Sequence, residues 1–135
     1  MSEKFRFLDH TADVEFEAFG KSMDEVFENS AYALFNAMYK GKVEKKIKKD
    51  IKVEGGNKEA LLYDFLEELI YLLETQNFFL SEIKVKIKDM ALTAEVWGDK
   101  ASNYEISLQV KAITYHDMLV EESKGKWITQ VVVDV

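Results

Sequence analysis

The sequence predicts an α+β fold: a largely antiparallel sheet of about seven strands with two amphipathic helices packed on one face. Three observations carry this expectation. Two segments repeat apolar residues every three or four positions, several others alternate them every second position, and strands and helices do not alternate regularly along the chain.

The elements follow in order. Phe5 and Phe7 alternate with polar residues, as do Val14, Phe16 and Ala18 before Gly20, predicting one or two early strands interrupted by a loop over Asp9 to Asp13. Ser22-Met23-Asp24-Glu25 has the spacing of a capping box, in which a Ser hydroxyl and a Glu carboxylate satisfy end amides reciprocally. The helix it opens places Met23, Val26, Phe27, Ala31, Leu34, Phe35 and Met38 on one stripe. From Val43 to Glu54 apolar residues alternate with Lys, predicting a half-buried strand. Gly55-Gly56-Asn57 forms a turn with Asn57 as helix cap, and Lys58 to about Thr75 presents Leu61, Leu62, Phe65, Leu66, Leu69, Ile70 and Leu73 on a broad apolar face. Ile83, Val85 and Ile87, a turn at Lys88-Asp89, then Leu92, Ala94 and Val96 predict a hairpin. Ile106, Leu108, Val110 and Ala112 continue the period of two, and Met118 to Val120 add a short apolar segment. Ser123 to Lys126 turns the chain into a final strand, Trp127 to Val135, which pairs with its predecessor.

Composition narrows the function classes. A chain of 135 residues fits one domain, burying roughly two-thirds of the surface its unfolded form exposes. It has no long uncharged apolar segment and no basic-then-apolar start, so a soluble, cytoplasmic protein without membrane association is expected. Cysteine is absent, which excludes disulfides, thiolate zinc sites and Cys nucleophiles. The net charge is −7 and Arg6 is the sole arginine, a poor basis for tight independent nucleic-acid binding. Charged residues reach 32%, above the usual level of about 25%, dominated by Lys and Glu as in heat-adapted proteins.

The sharpest candidate chemistry joins the two ends. Asp13 falls at a strand entrance, and the last strand stops on Asp134 and the carboxylate of Val135. If the ends meet, these are hard oxygen donors suited to a divalent cation. Carboxylates at strand ends are more often solvated caps. His10, between Asp9 and Asp13, has the chemistry of a base, a ligand or a hydrogen-bonded loop residue, and the last is the commonest role. His116 falls at a strand end beside a turn at Asp117, with a structural role expected. Lys111 alternates with Val110 and Ala112, which predicts an outward side chain; a single outward Lys is usually solvent-facing, although beside a carboxylate cluster it could pair with phosphate or a partner's acid. Nucleophilic catalysis lacks support: there is no Gly-x-Ser-x-Gly elbow and no phosphate-cradling glycine loop.

Five segments in one order resemble the archease family: His10-Thr11-Ala12-Asp13, Gly20-x-Ser22, the Leu-rich second helix, Val110 to His116, and Trp127 followed by Val-Val-Val-Asp134-Val135. The resemblance spans nearly the whole chain. It implies a protein cofactor, not itself an enzyme, that activates the GTP-dependent tRNA-splicing RNA ligase by promoting guanylylation and multiple turnover. Transfer RNA would be met only indirectly, through the ligase. The resemblance also implies a metal site, calcium-like, held by Asp13, Asp134 and Val135, with possible functional parts for His10 and Lys111. The alternatives are a chaperone-like modulator of RNA-processing proteins and a metal-dependent hydrolase. Many archeases carry an Arg-His pair where this chain has Ser102-Asn103-Tyr104, so no role of that pair carries over.

Overall fold

A computed structural model describes residues 3–8 and 13–135. Along the described residues run β1 (Phe5–Leu8), β2 (Val14–Gly20), α1 (Met23–Met38), β3 (Ile47–Glu54), α2 (Lys58–Gln76), β4 (Phe78–Lys88), β5 (Ala91–Lys100), β6 (Ala112–Ile113), β7 (Leu119–Ser123) and β8 (Lys126–Asp134). The α+β class and the two helices are as the sequence predicts. The strands divide into two antiparallel sheets where one was expected: β1-β2-β8-β6, with β7 also on β8, and β3-β5-β4. Helix α1 packs on β2, β8 and β4, and α2 on strands of both sheets, so the helices bridge the sheets. They meet at Phe27 and Phe65, whose ring centroids lie 5.8 Å apart.

Local chemistry sets the boundaries. The Ser22 Oγ accepts from the Glu25 amide at 3.1 Å while the Glu25 carboxylate accepts from the Lys21 amide at 2.7 Å, a reciprocal cap on α1. Asn57 Oδ1 accepts from the Ala60 amide at 2.8 Å and opens α2, which Asn77 closes in the left-handed region. Two hairpins turn on residue pairs with positive φ: Asp89 and Met90 between β4 and β5, Lys124 and Gly125 between β7 and β8. That backbone matches the twist of the flanking strands.

Two predicted strands are shorter than expected. Of the run 106–112 only Ala112 joins a strand, with Ile113, because β7 already occupies the flank of β8 from Lys126 to Gln130 and leaves only Val131 to Asp134, of which β6 pairs with Val133 and Asp134. Instead the Ser107 amide donates to the Met38 carbonyl at 3.0 Å. Residues 43–46 precede the β3 ladder, which starts where Ile47 meets Gly98 at the end of β5. Side chains hold this lead-in: Ser81 Oγ donates to the Val43 carbonyl at 2.6 Å, and the Glu44 amide donates to the Tyr104 hydroxyl at 3.0 Å. Tyr104 in turn donates to Asp99 Oδ2 at 2.7 Å. That bond, with the Lys100 amide, holds the Asp99 carboxyl below the usual carboxylate range.

Strand β4 is an edge, and α1 covers it with polar side chains. The amides of Ile83, Val85 and Ile87 donate to the Tyr32 hydroxyl at 3.1 Å, the Glu28 carboxylate at 2.8 Å and the Asp24 carboxylate at 3.0 Å. The pitches match, since four helical residues rise about 6 Å and two strand residues about 6.7 Å. An exposed template for strand addition is thereby closed.

Burial raises the Glu28 carboxyl above its ordinary range, opposed by the Val85 amide. The folded state therefore binds that proton more tightly than the unfolded chain, and the resulting stability is lost as pH rises through the folded-state value. Glu28→Gln keeps an acceptor without the charge. Chemical denaturation from acid to neutral pH is expected to show it equal to the parent in acid and more stable near neutrality, whereas Glu28→Leu, leaving the Val85 amide unmet, loses about 1–2 kcal/mol. A parent and Gln variant with parallel pH profiles would contradict this assignment. A Cβ on Gly98 would collide with the Phe79 carbonyl oxygen and lie 2.8 Å from Phe78 Cζ. Gly98→Ala should cost about 1–3 kcal/mol by the same measurement.

Candidate functional site

Strand β8 brings the two ends together. It pairs antiparallel with β2 from Gly20 opposite Trp127 to Val14 opposite Val133, so Asp13 and Asp134 each follow the last pair at the same end of the ladder. On its other flank Ala112 lies opposite Asp134, and the Lys111 amide donates to the Asp134 carbonyl at 2.8 Å. The Thr114 amide and hydroxyl both donate to the Val132 carbonyl, at 3.2 and 2.8 Å. The strand reads Val-Val-Val before Asp134 because it is covered on both faces: Val131, Val132 and Val133 are all buried.

At the tip, Asp13 is half-buried and the Asp134 side chain is exposed. The Val135 side chain packs against the core cluster, and the two aspartates supply carboxylate oxygens. These are hard oxygen donors of the kind a calcium-type ion takes. Among the described residues, no three His, Cys, Asp or Glu side chains gather closely enough to hold a metal. A cation there would therefore draw on the Val135 carboxylate, backbone carbonyls or water beyond the two aspartates. The donor chemistry and the shared end of the ladder fit a hard cation to that extent.

Lys111 is exposed between buried Val110 and half-buried Ala112, as its alternation predicts. His116 stands in the turn before β7, with Nε2 3.3 Å from Asp117 Oδ2. His10, with Thr11 and Ala12, lies outside the described residues.

Sequence reasoning missed the link between this tip and α2. Glu67 Oε1 accepts from the Ile113 amide at 3.3 Å, and the Tyr115 ring stacks on Tyr63 with centroids 4.2 Å apart and planes 7° apart. Partial desolvation by its neighbours, then the Asp64 carboxylate, hold the phenol of the exposed Tyr115 above its ordinary range. The available signal was Tyr63, set off the apolar stripe of α2. Its partner lay more than fifty residues away, beyond the reach of periodicity.

If β6 tethers Asp134, the Lys111 amide should exchange with solvent at least about tenfold more slowly than in an unstructured chain. Hydrogen exchange at the unprotected rate would contradict the tether.

The Archease protein family (MTH1598/TM1083) model matches residues 5–135. The protein archease of Pyrococcus furiosus is 41% identical over 135 residues, covering 94% of this chain and 95% of its own. That of Sulfurisphaera tokodaii is 36% identical, covering 98% and 99%. The solution structure of Methanobacterium thermoautotrophicum protein 1598 is similar with a TM-score of 0.81 and 33% identity, covering 98% of this chain and 99% of that one. An archease from Thermotoga maritima, described as a possible chaperone, shares the fold with a TM-score of 0.70 at 22% identity, covering 95% and 94%.

Proposed function

The chain belongs to the archease family, and on that premise we propose that it is a protein cofactor that activates the GTP-dependent tRNA-splicing RNA ligase, promoting guanylylation and multiple turnover without being the catalyst. The observation that carries this reading is the β2–β8 register, which ends both strands at Asp13 and Asp134. In the proposal, Asp13, Asp134 and the Val135 carboxylate hold a divalent, calcium-type cation at the ligase's nucleotide site. A cation so held supplies positive charge beside nucleotide phosphates. The chain's own contribution is positioning. Pairing with β2 as far as Val133 and with β6 at Asp134 itself fixes the end of β8, and the Val135 side chain packs against the core. In the same proposal Lys111, exposed and bonded through its amide to the Asp134 carbonyl, meets a phosphate or an acid of the ligase.

A net charge of −7 fits a partner built to bind RNA and nucleotide, since opposite charge speeds encounter. No helix among the described residues is long and apolar enough to cross a membrane. The chaperone-like alternative has less behind it. Among the described residues the exposed large hydrophobic side chains are Phe7, Tyr71 and Tyr115, two of them carrying hydroxyls, whereas a holdase needs a contiguous apolar patch.

The test is ligase guanylylation and turnover with the parent chain, Asp13→Ala, Asp134→Ala and Val135→Gly. Both Ala variants are expected to lose most of the stimulation, on the order of tenfold or more. Val135→Gly, which keeps the carboxylate but removes its apolar anchor, should retain part of it. Equal yields from all four proteins would remove the tip from the mechanism.

A further inference from the structure

We propose that the outer face of the β3-β5-β4 sheet binds single-stranded RNA along its phosphate backbone. Charge is unevenly divided in this acidic chain. Residues 42–54 and 78–100, which build the sheet and its lead-in, hold ten lysines against seven carboxylates, while the remainder holds eight basic residues against eighteen acidic ones.

Register places the side chains of the outer face in rows across the three strands: Lys48, Trp97 and Glu82; Asp50, Glu95 and Lys84; Lys52, Thr93 and Lys86. Of its four carboxylates Asp50, Glu82 and Glu95 are paired within the face, and Glu54 shares a row with Ala91 and Lys88. Lys48 lies 3.2 Å from both Asp50 and Glu95, and Lys45 lies 2.9 Å from Glu82. Lys52, Lys84, Lys86 and Lys88 are exposed and in no ion pair among the described residues. Three of them alternate along β4 at a pitch of about 6.7 Å. A straight row of ammonium groups at regular pitch suits a flexible polyphosphate chain, whose charges also recur at regular steps.

Two central residues point to a nucleic acid over an acidic protein. Trp97 is half-buried in the middle strand with Lys45 Nζ 5.3 Å from its ring centroid, a flat aromatic among cations of the kind on which unpaired bases stack. The exposed Thr93 hydroxyl, between Lys52 and Lys86, both donates and accepts, matching a ribose 2′-hydroxyl. A duplex buries its base faces, so the single strand is the form this surface suits. None of these residues belongs to the proposed metal tip.

The test uses the full chain without the ligase, titrated against a fluorescein-labelled oligouridylate by anisotropy at about 50 and about 200 mM salt. Expected is weak binding, with Kd of about 10⁻⁴ to 10⁻⁶ M and a log–log salt slope near −3, about −0.7 for each of four phosphates met. Lys84→Gln with Lys86→Gln should weaken binding about tenfold and flatten the slope by about 1.4. Trp97→Leu should weaken it about tenfold, and the quenching of intrinsic tryptophan fluorescence that unlabelled RNA causes in the parent should disappear, although Trp127 remains. Circular dichroism of each variant establishes that it is folded. The inference is overturned if nothing binds at the lower salt, if the lysine variant binds as the parent does, or if oligothymidylate or polyglutamate of matched charge binds as tightly as the RNA.

Discussion

Strand β8 is the element on which the rest of the arrangement depends, because it is hydrogen-bonded along both flanks. On one side β2 runs its length from Trp127 to Val133. On the other β7 and then β6 divide it between them. A strand held this way cannot shift register by one residue without carrying the exposed Asp134 into the buried position of Val133 or Val133 out of it. The position of Asp134 is thus set by the core rather than by the surface around it. Helix α1 adds a further constraint: the buried hydroxyls of Ser30 and Thr129 lie 2.8 Å apart, tying the helix to β8 in one orientation. The same helix satisfies the edge of β4 with Asp24, Glu28 and Tyr32. One element therefore positions the tip-bearing sheet and seals the other.

Local rules made much of this legible from sequence. The capping box at Ser22, the Asn57 cap, the stripes of both helices and the hairpins after Lys88 and Ser123 each rest on residues within a few positions of one another. The expectation that the first strands and the last one end together is met in the β2–β8 ladder. Competition between segments for one strand flank was not legible. Ile106, Leu108 and Val110 have the period of a strand, yet β7 takes the flank they would need. The split into two sheets was hidden for a related reason. Alternation says that a strand has one buried face, not which neighbour it joins.

Within the candidate site, the end of the β2–β8 ladder beside Asp13 and Asp134 and the exposure of Lys111 were legible because alternation is a local fact. The support behind them was not. The Glu67 bond to Ile113 and the Tyr63–Tyr115 stack join residues far apart in sequence, and both brace β6 against α2. The molecule also divides its charge unevenly, with an excess of lysines over carboxylates on the three-stranded sheet and its lead-in and the reverse elsewhere. A lysine-rich sheet face and a carboxylate tip on different sheets are surfaces of opposite character.

The most direct measurement of the central claim is a calcium titration of the isotope-labelled chain followed by amide chemical shifts. The account predicts saturable shifts concentrated at Asp13, Val14 and Val133 to Val135, with the lysine-rich sheet unmoved. Shifts that are absent, or that centre on another part of the molecule, would contradict it.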